Sequence, residues 1–155
     1  MTADGAMQDN STPPKAAGRS YAGDITPEQA WQLLSENPEA MLVDCRSEAE
    51  WRFVGVPDIS SLGRDVVFAQ WLGADGSPHS GFVQRLIEAG ITPGDRPVVF
   101  LCRSGSRSIG AAIAATAAGI APSYNVLDGF EGHLDEQGHR GGCGWRALGL
   151  PWRQS

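Results

Sequence analysis

Pro97-Val-Val-Phe-Leu-Cys-Arg-Ser-Gly-Ser-Arg-Ser-Ile109 is a short apolar run, rich in β-branched residues, that stops on a cysteine. A tight polar loop follows at once, carrying Arg103, Ser104, Gly105, Ser106 and Arg107, and an Ala-rich helical pattern begins near Ser108. The order is strand, loop, helix. It sets the Cys102 thiol at the C-terminal end of a strand, where open α/β sheets bind ligands. It also aims the thiol at a helix N-terminus, whose unpaired N–H groups and dipole attract anions. Two guanidiniums flank it, and such a field favours the thiolate. Cys102 could instead be a small buried hydrophobe, as free cysteines often are. The flanking arginines and the glycine argue against that reading.

Working outward, the same alternation recurs. Thr26-Pro-Glu-Gln29 opens a helix: Thr26 caps, Pro27 fits the first helical position and Gln29 reaches back in a capping box. Trp31, Leu33 and Leu34 give it an apolar face, and Asn37-Pro38 ends it. Met41–Cys45 reads as a buried strand. Ser47-Glu-Ala-Glu50 is a second capping box, opening a short helix that contains Trp51 and Phe53. Residues 55–63 read as loop, and Asp65–Trp71 as a strand. Residues 81–89 form a helix with Phe82, Val83, Leu86 and Ile87 on one face and Gly90 at its C-cap. The helix from Arg107 to Ala118 offers Ile109, Ala112, Ile113 and Thr116 to the sheet. Ser123–Leu127 reads as the last strand, followed by a glycine-rich stretch, 128–144, and a helical turn at 145–148. Trp51, Phe53, Phe68 and Trp71 are expected mainly in the core. Strand and helix patterns alternating in this way predict a single α/β domain, a mainly parallel sheet of about five strands with helices on both faces.

The bulk properties fit. The chain has 155 residues, a net charge of −6, 41% hydrophobic and 19% charged residues, and three cysteines, Cys45, Cys102 and Cys143. The length suits one domain with its own core, read as 21–155 behind a disordered tail, 1–20. The acidic balance and the lack of a basic cluster argue against nucleic acid as a partner. No apolar run approaches a membrane span, and the polar N-terminus lacks the features of a secretory signal, so the cytoplasm is the expected compartment. An odd cysteine count does not read as a disulfide framework.

In this order and spacing the residues resemble the rhodanese-like sulfurtransferases, over roughly Tyr21 to Trp152. The strongest part is Cys102-Arg-Ser-Gly-Ser-Arg-Ser108, similar to that family's active-site loop. Val43-Asp-Cys-Arg46 with Glu50-Trp51 is similar to its segment after an early strand. Asn125-Val-Leu-Asp-Gly-Phe-Glu-Gly132 resembles its last strand and glycine turn, and Gly149-Leu-Pro-Trp152 its ending.

The resemblance implies that Cys102 takes sulfur from a small anionic donor such as thiosulfate and holds it as a persulfide. The outer sulfur then passes to cyanide, a thiol, or a thioredoxin-like or other sulfur-relay protein. Arg103, Ser104, Gly105, Ser106, Arg107 and Ser108 would form the substrate-binding loop, their amides cradling the persulfide. No metal or organic cofactor is implied. Four residues separate Cys102 from Arg107. Phosphatases of related fold have a loop one residue longer, so the count favours sulfur over phosphate. A phosphatase or arsenate reductase is the first rival, and a sulfur carrier or regulatory binding module with little turnover the second.

Other residues carry weaker signals. Asp44 and Arg46 read as structural support for the neighbouring loops through a charge-assisted hydrogen bond. Cys45 reads as core, and Cys143 as a thiol whose part is open. His133, Asp135, Glu136 and His139 match no zinc spacing and read as a hydrated loop.

Overall fold

Gly94–Leu101 is the longest strand of the computed structural model, which describes residues 20 to 154. The expected N-terminal tail lies outside the described residues up to position 19. In chain order the elements are β1 (Gly23–Ile25), α1 (Pro27–Glu36), β2 (Met41–Asp44), α2 (Glu48–Phe53), β3 (Val56–Pro57), β4 (Val67–Phe68), α3 (Phe82–Glu88), β5 (Gly94–Leu101), α4 (Arg107–Ala117), β6 (Ile120–Val126) and β7 (Trp152–Arg153). Five strands form one sheet in the order β1-β6-β5-β2-β4, with every pair parallel. β5 is therefore central, and Cys102 leaves it at its C-terminal end.

β5 begins three residues before Pro97, the start expected from the apolar run. Its register against β6 shifts between Asp95 and Val98, the stretch that holds Pro97. Proline has no N–H to give a ladder and is tolerated at such an irregularity. Beyond it, side chains alternate across the sheet as period-2 geometry requires. Val98, Phe100 and Cys102 join Val43, Cys45, Phe82, Leu86, Ala111, Ala112 and Ala115 on the face covered by α3 and α4. Val99 and Leu101 join Leu42, Ala30, Leu34, Phe130 and Trp145 on the other, under α1. Both faces of the sheet are thus buried, which is why Met41–Val43 and Val98–Leu101 read as unbroken apolar runs.

Both capping boxes form. Thr26 accepts from the Gln29 amide while the Gln29 side chain accepts from Thr26 N–H, and Ser47 and Glu50 do the same.

Several expectations change. Residues 55–63 contain β3 and a 3-10 turn at Ser60–Leu62. The segment 65–71 keeps strand pairing only at Val67–Phe68. β6 starts at Ile120, and it is not the last strand, because β7 pairs antiparallel with β3. Gly55, at φ 118°, lets the Trp152 ring lie over it, where a Cβ would come within 2.9 Å of the indole. Strands of two residues leave no periodic trace and exist only through tertiary pairing.

Phe53 is 74% exposed. It stands two positions after Trp51, so a helix that turns Trp51 inward, edge-on to Phe68 at 5.1 Å, must turn Phe53 outward. Trp51, Phe68 and Trp71 are partly buried. Ile113 is also exposed, because α4 buries the stripe Ser108, Ala111, Ala112 and Ala115, one position off the expected face. Small residues bring the helix close to the sheet, and the polar member of the stripe, Ser108, belongs to the site below.

Candidate active site

Cys102 is 1% exposed, and its Sγ meets two groups of the loop that follows it. The Gly105 N–H donates to Sγ at 3.2 Å, and the Ser108 hydroxyl oxygen lies 3.1 Å away. Gly105 takes φ 98°, the left-handed conformation that glycine adopts without steric cost, and this turns its amide back toward the sulfur. A Cβ there would stand 3.0 Å from the Asp128 amide nitrogen, so the loop also packs tightly on the turn after β6.

Ser108 is held by a buried strand residue that the sequence reading did not single out. Its hydroxyl donates to Asn125 Oδ1 at 2.5 Å. Asn125 Nδ2 donates to Asp24 Oδ1 at 3.0 Å and to the Gly105 carbonyl at 3.2 Å. Those two acceptors orient the amide, so its oxygen must face Ser108. The single Ser108 proton is then committed to Asn125, and the lone pairs of Oγ face sulfur, ready to accept from an S–H. Rotating the same proton toward Sγ would serve an anionic sulfur, so one hydroxyl can meet both forms. Ser108 and Asn125 are fully buried and Asp24 is exposed. The polar Asn125, set between Tyr124 and Val126 in β6, was the available clue, because buried polar side chains need partners.

The arginines are engaged. Arg107 forms a bidentate pair with Glu50, Nη1 and Nη2 each donating over 2.8 Å to a carboxylate oxygen. Burial pushes the Glu50 carboxyl up, but the Arg107 N–H groups and the Ser47 amide outweigh that and hold it at about 2. The same pair raises Arg107. Glu50 therefore has two tasks: it completes the α2 capping box and clamps the first residue of α4. Arg103 Nε lies 3.4 Å from Glu131 and is about half exposed. Ser104 is half-buried, and Ser106 is exposed at the α4 N-cap, where it makes no capping bond. Of the loop residues named from sequence, Gly105 and Ser108 touch sulfur, and Arg103 and Arg107 brace the loop's flanks.

Asp44 and Arg46 are both fully buried and joined at 2.7 Å, and Arg46 also donates to the Gly55 carbonyl at 2.7 Å. Its guanidinium sits 4.4 Å from the Phe130 ring centroid. Cys45 lies in the core beside the active strand, its Sγ 3.4 Å from the Leu101 carbonyl, and burial drives its thiol well up. It stays protonated and does not compete with Cys102.

The turn after β6 braces the nucleophile from behind. Phe130 N–H donates to the Cys102 carbonyl at 2.8 Å, and Glu131 N–H to the Arg103 carbonyl at 2.9 Å. At the start of α4, Gly110 leaves room for Trp71, whose Nε1 would be 2.8 Å from a Cβ at that position.

A family model described as "STR4 middle domain" matches residues 22–155. The crystal structure of Rv0390 from M. tuberculosis superposes with a TM-score of 0.80 at 66% identity, covering 87% of this chain and 99% of that one. An uncharacterized protein of Rickettsia conorii is 33% identical over 81% of this chain and 92% of its own. The chloroplastic protein named thylakoid rhodanese-like, from Oryza sativa, is 29% identical over 88% of this chain but only 26% of its own length.

Proposed function

The chain belongs to the family described as STR4 middle domain, and with it to the rhodanese-like proteins, and on that premise we propose that it is a sulfurtransferase working through a persulfide on Cys102. The observation that carries the reading is the short loop closed around one sulfur, with the Gly105 amide and the Ser108 hydroxyl both on Sγ.

The chemistry balances without a further reactant. The Cys102 thiolate attacks the outer sulfur of a donor such as thiosulfate. The donor S–S bond breaks as the Cys102 S–S bond forms, and sulfite leaves with the electron pair. The persulfide's terminal sulfur carries the negative charge. A thiolate or cyanide attacks that sulfur, the Cys102 S–S bond breaks, and the thiolate returns. The two half-reactions give ping-pong kinetics. The Gly105 amide and the α4 N-terminus stabilise the anionic sulfur, and removing one preorganised donor from related oxyanion sites costs about 2.7–4 kcal/mol. The partners proposed are a small anionic donor and a thiophilic acceptor, which includes a thiol on a sulfur-relay protein.

The phosphatase rival needs an arginine free to clamp an oxyanion. Arg107 spends both terminal nitrogens on Glu50, and this favours sulfur transfer.

Intact-mass spectrometry before and after incubation with thiosulfate tests the proposal. The expected result is a gain of one sulfur, removed by cyanide and absent in Cys102→Ser. Folded, reduced protein that gains no sulfur from thiosulfate or from a low-molecular-weight persulfide, yet hydrolyses a phosphate ester, overturns it.

A further inference from the structure

Behind the Cys102 loop, the glycine-rich stretch after β6 brings together three side chains that sulfur transfer does not use. Asp128, His133 and Cys143 each present a ligand atom, and these atoms lie within 4.8 Å of one another. In the sequence, four residues of this stretch, His133, Asp135, Glu136 and His139, match no zinc spacing and read as a hydrated loop. The fold keeps only His133 of that set and adds one ligand from each end of the loop.

The backbone explains the meeting. Asp128 takes φ 65°, the one non-glycine in the left-handed region among the described residues, a conformation that Asp tolerates better than most. Gly132, just before His133, packs directly on Cys143: a Cβ there would lie 2.4 Å from the Cys143 carbonyl oxygen and 2.8 Å from its Sγ. Gly144, just after Cys143, packs on the Gly132 amide at 2.8 Å and the Asp128 carbonyl at 3.1 Å by the same measure. Glycines beside the donors thus let main chain touch main chain and draw the ends of a long loop together.

The donors are complementary in type: a thiolate, an imidazole and a carboxylate. Among the described residues, neither the Asp128 carboxylate nor the Cys143 thiol has a side-chain hydrogen bond or an ion pair. His133 Nδ1 lies 3.1 Å from the Leu134 carbonyl. Donation to that carbonyl leaves Nε2 basic, the kind of outer contact that fixes the tautomer of metal-binding histidines. In a tetrahedral zinc site the donor atoms stand about 3.4–3.6 Å apart, from the usual zinc–ligand bond lengths. The present spacing needs a closure of about 1 Å, within reach of side-chain rotation at exposed His133.

We propose that Asp128, His133 and Cys143 form a three-ligand site for a divalent metal of borderline softness, best matched by zinc, with a fourth position open. Bound there, the ion clasps the two ends of the loop that backs Cys102. The proposal is independent of the sulfur-transfer reading.

Cobalt(II) is the probe, titrated into the full-length Cys102→Ser protein so that the nucleophile cannot supply the thiolate. The buried Cys45 contributes none. The expected result is one ion per chain, a thiolate-to-cobalt charge-transfer band, and loss of that band on adding zinc. Cys143→Ser should remove the band. His133→Ala and Asp128→Asn should each weaken binding at least about tenfold, a loss that even outer-shell substitutions reach. His133 is exposed, so its variant will fold. Absence of the band, its persistence in Cys143→Ser, or an affinity unmoved by His133→Ala overturns the proposal.

Discussion

Gly129 and Cys102 are in backbone contact so close that no side chain fits between them: a Cβ on Gly129 would lie 2.4 Å from the Cys102 carbonyl oxygen. Gly129 also takes φ 57°, a conformation that disfavours other residues. Gly129→Ala must therefore push the turn away from the nucleophile's own peptide. We expect a stability loss of about 1–3 kcal/mol, and a fall in thiosulfate turnover of about 10²-fold if the loop moves by roughly 1 Å. Thermal unfolding and steady-state kinetics read the two effects separately.

Ser108→Ala removes the hydroxyl between sulfur and Asn125 and leaves Asn125 Oδ1 without its donor. A hydrogen bond to a charged group contributes about 1.5–3 kcal/mol, so persulfide formation should slow about 10- to 100-fold. Single-turnover mass spectrometry with thiosulfate measures this. A rate equal to wild type would show that the hydroxyl plays no part with the anionic sulfur.

Glu50 gives the protein an acid-sensitive brace. Its carboxyl is held at about 2 in the folded protein, below the ordinary value of 4.5. A depressed carboxyl stabilises the fold above its ordinary value, and that contribution is lost as pH falls toward 2. Urea unfolding should show declining stability from about pH 4.5 downward. In Glu50→Gln this part of the decline should vanish, with about 1–3 kcal/mol already lost at neutral pH because a half-buried charge pair has lost a partner.

Gly110→Ala sets two effects against each other. In an open helix the change would gain about 1 kcal/mol of propensity. Here the new methyl would come 2.8 Å from Trp71 Nε1, and that ring is packed edge-on against Phe82 at 5.0 Å. Overpacking of this kind costs about 1–3 kcal/mol, so the net effect should be a lower melting temperature. A rise would mean that Trp71 moves aside freely.

Much of this architecture was legible in the chain. The strand–loop–helix around Cys102 is written in contiguous residues, and so are both capping boxes, because the groups that satisfy each other lie three positions apart. What stayed hidden depends on distant partners. Nothing near Glu50 announces Arg107, and nothing near Ser108 announces Asn125 or Asp24. β1, β3 and β7 are too short to carry a period. α4 misled because its buried stripe is made of alanines and Ser108, whereas a reading by hydrophobicity favours Ile109 and Ile113. The meeting of Asp128 with His133 and Cys143 follows from glycine packing, which ligand spacing does not encode.

The clamp between Glu50 and Arg107 spans 57 positions, and Asn125 reaches back 20 to the Gly105 carbonyl. Contacts of such separation form late, because loop closure must come before they reward the chain. The Cys102 thiol, 1% exposed in the folded protein, therefore stays open to solvent while the polypeptide is still assembling. The rate at which an alkylating reagent loses access to it during refolding would time the closing of the sheet.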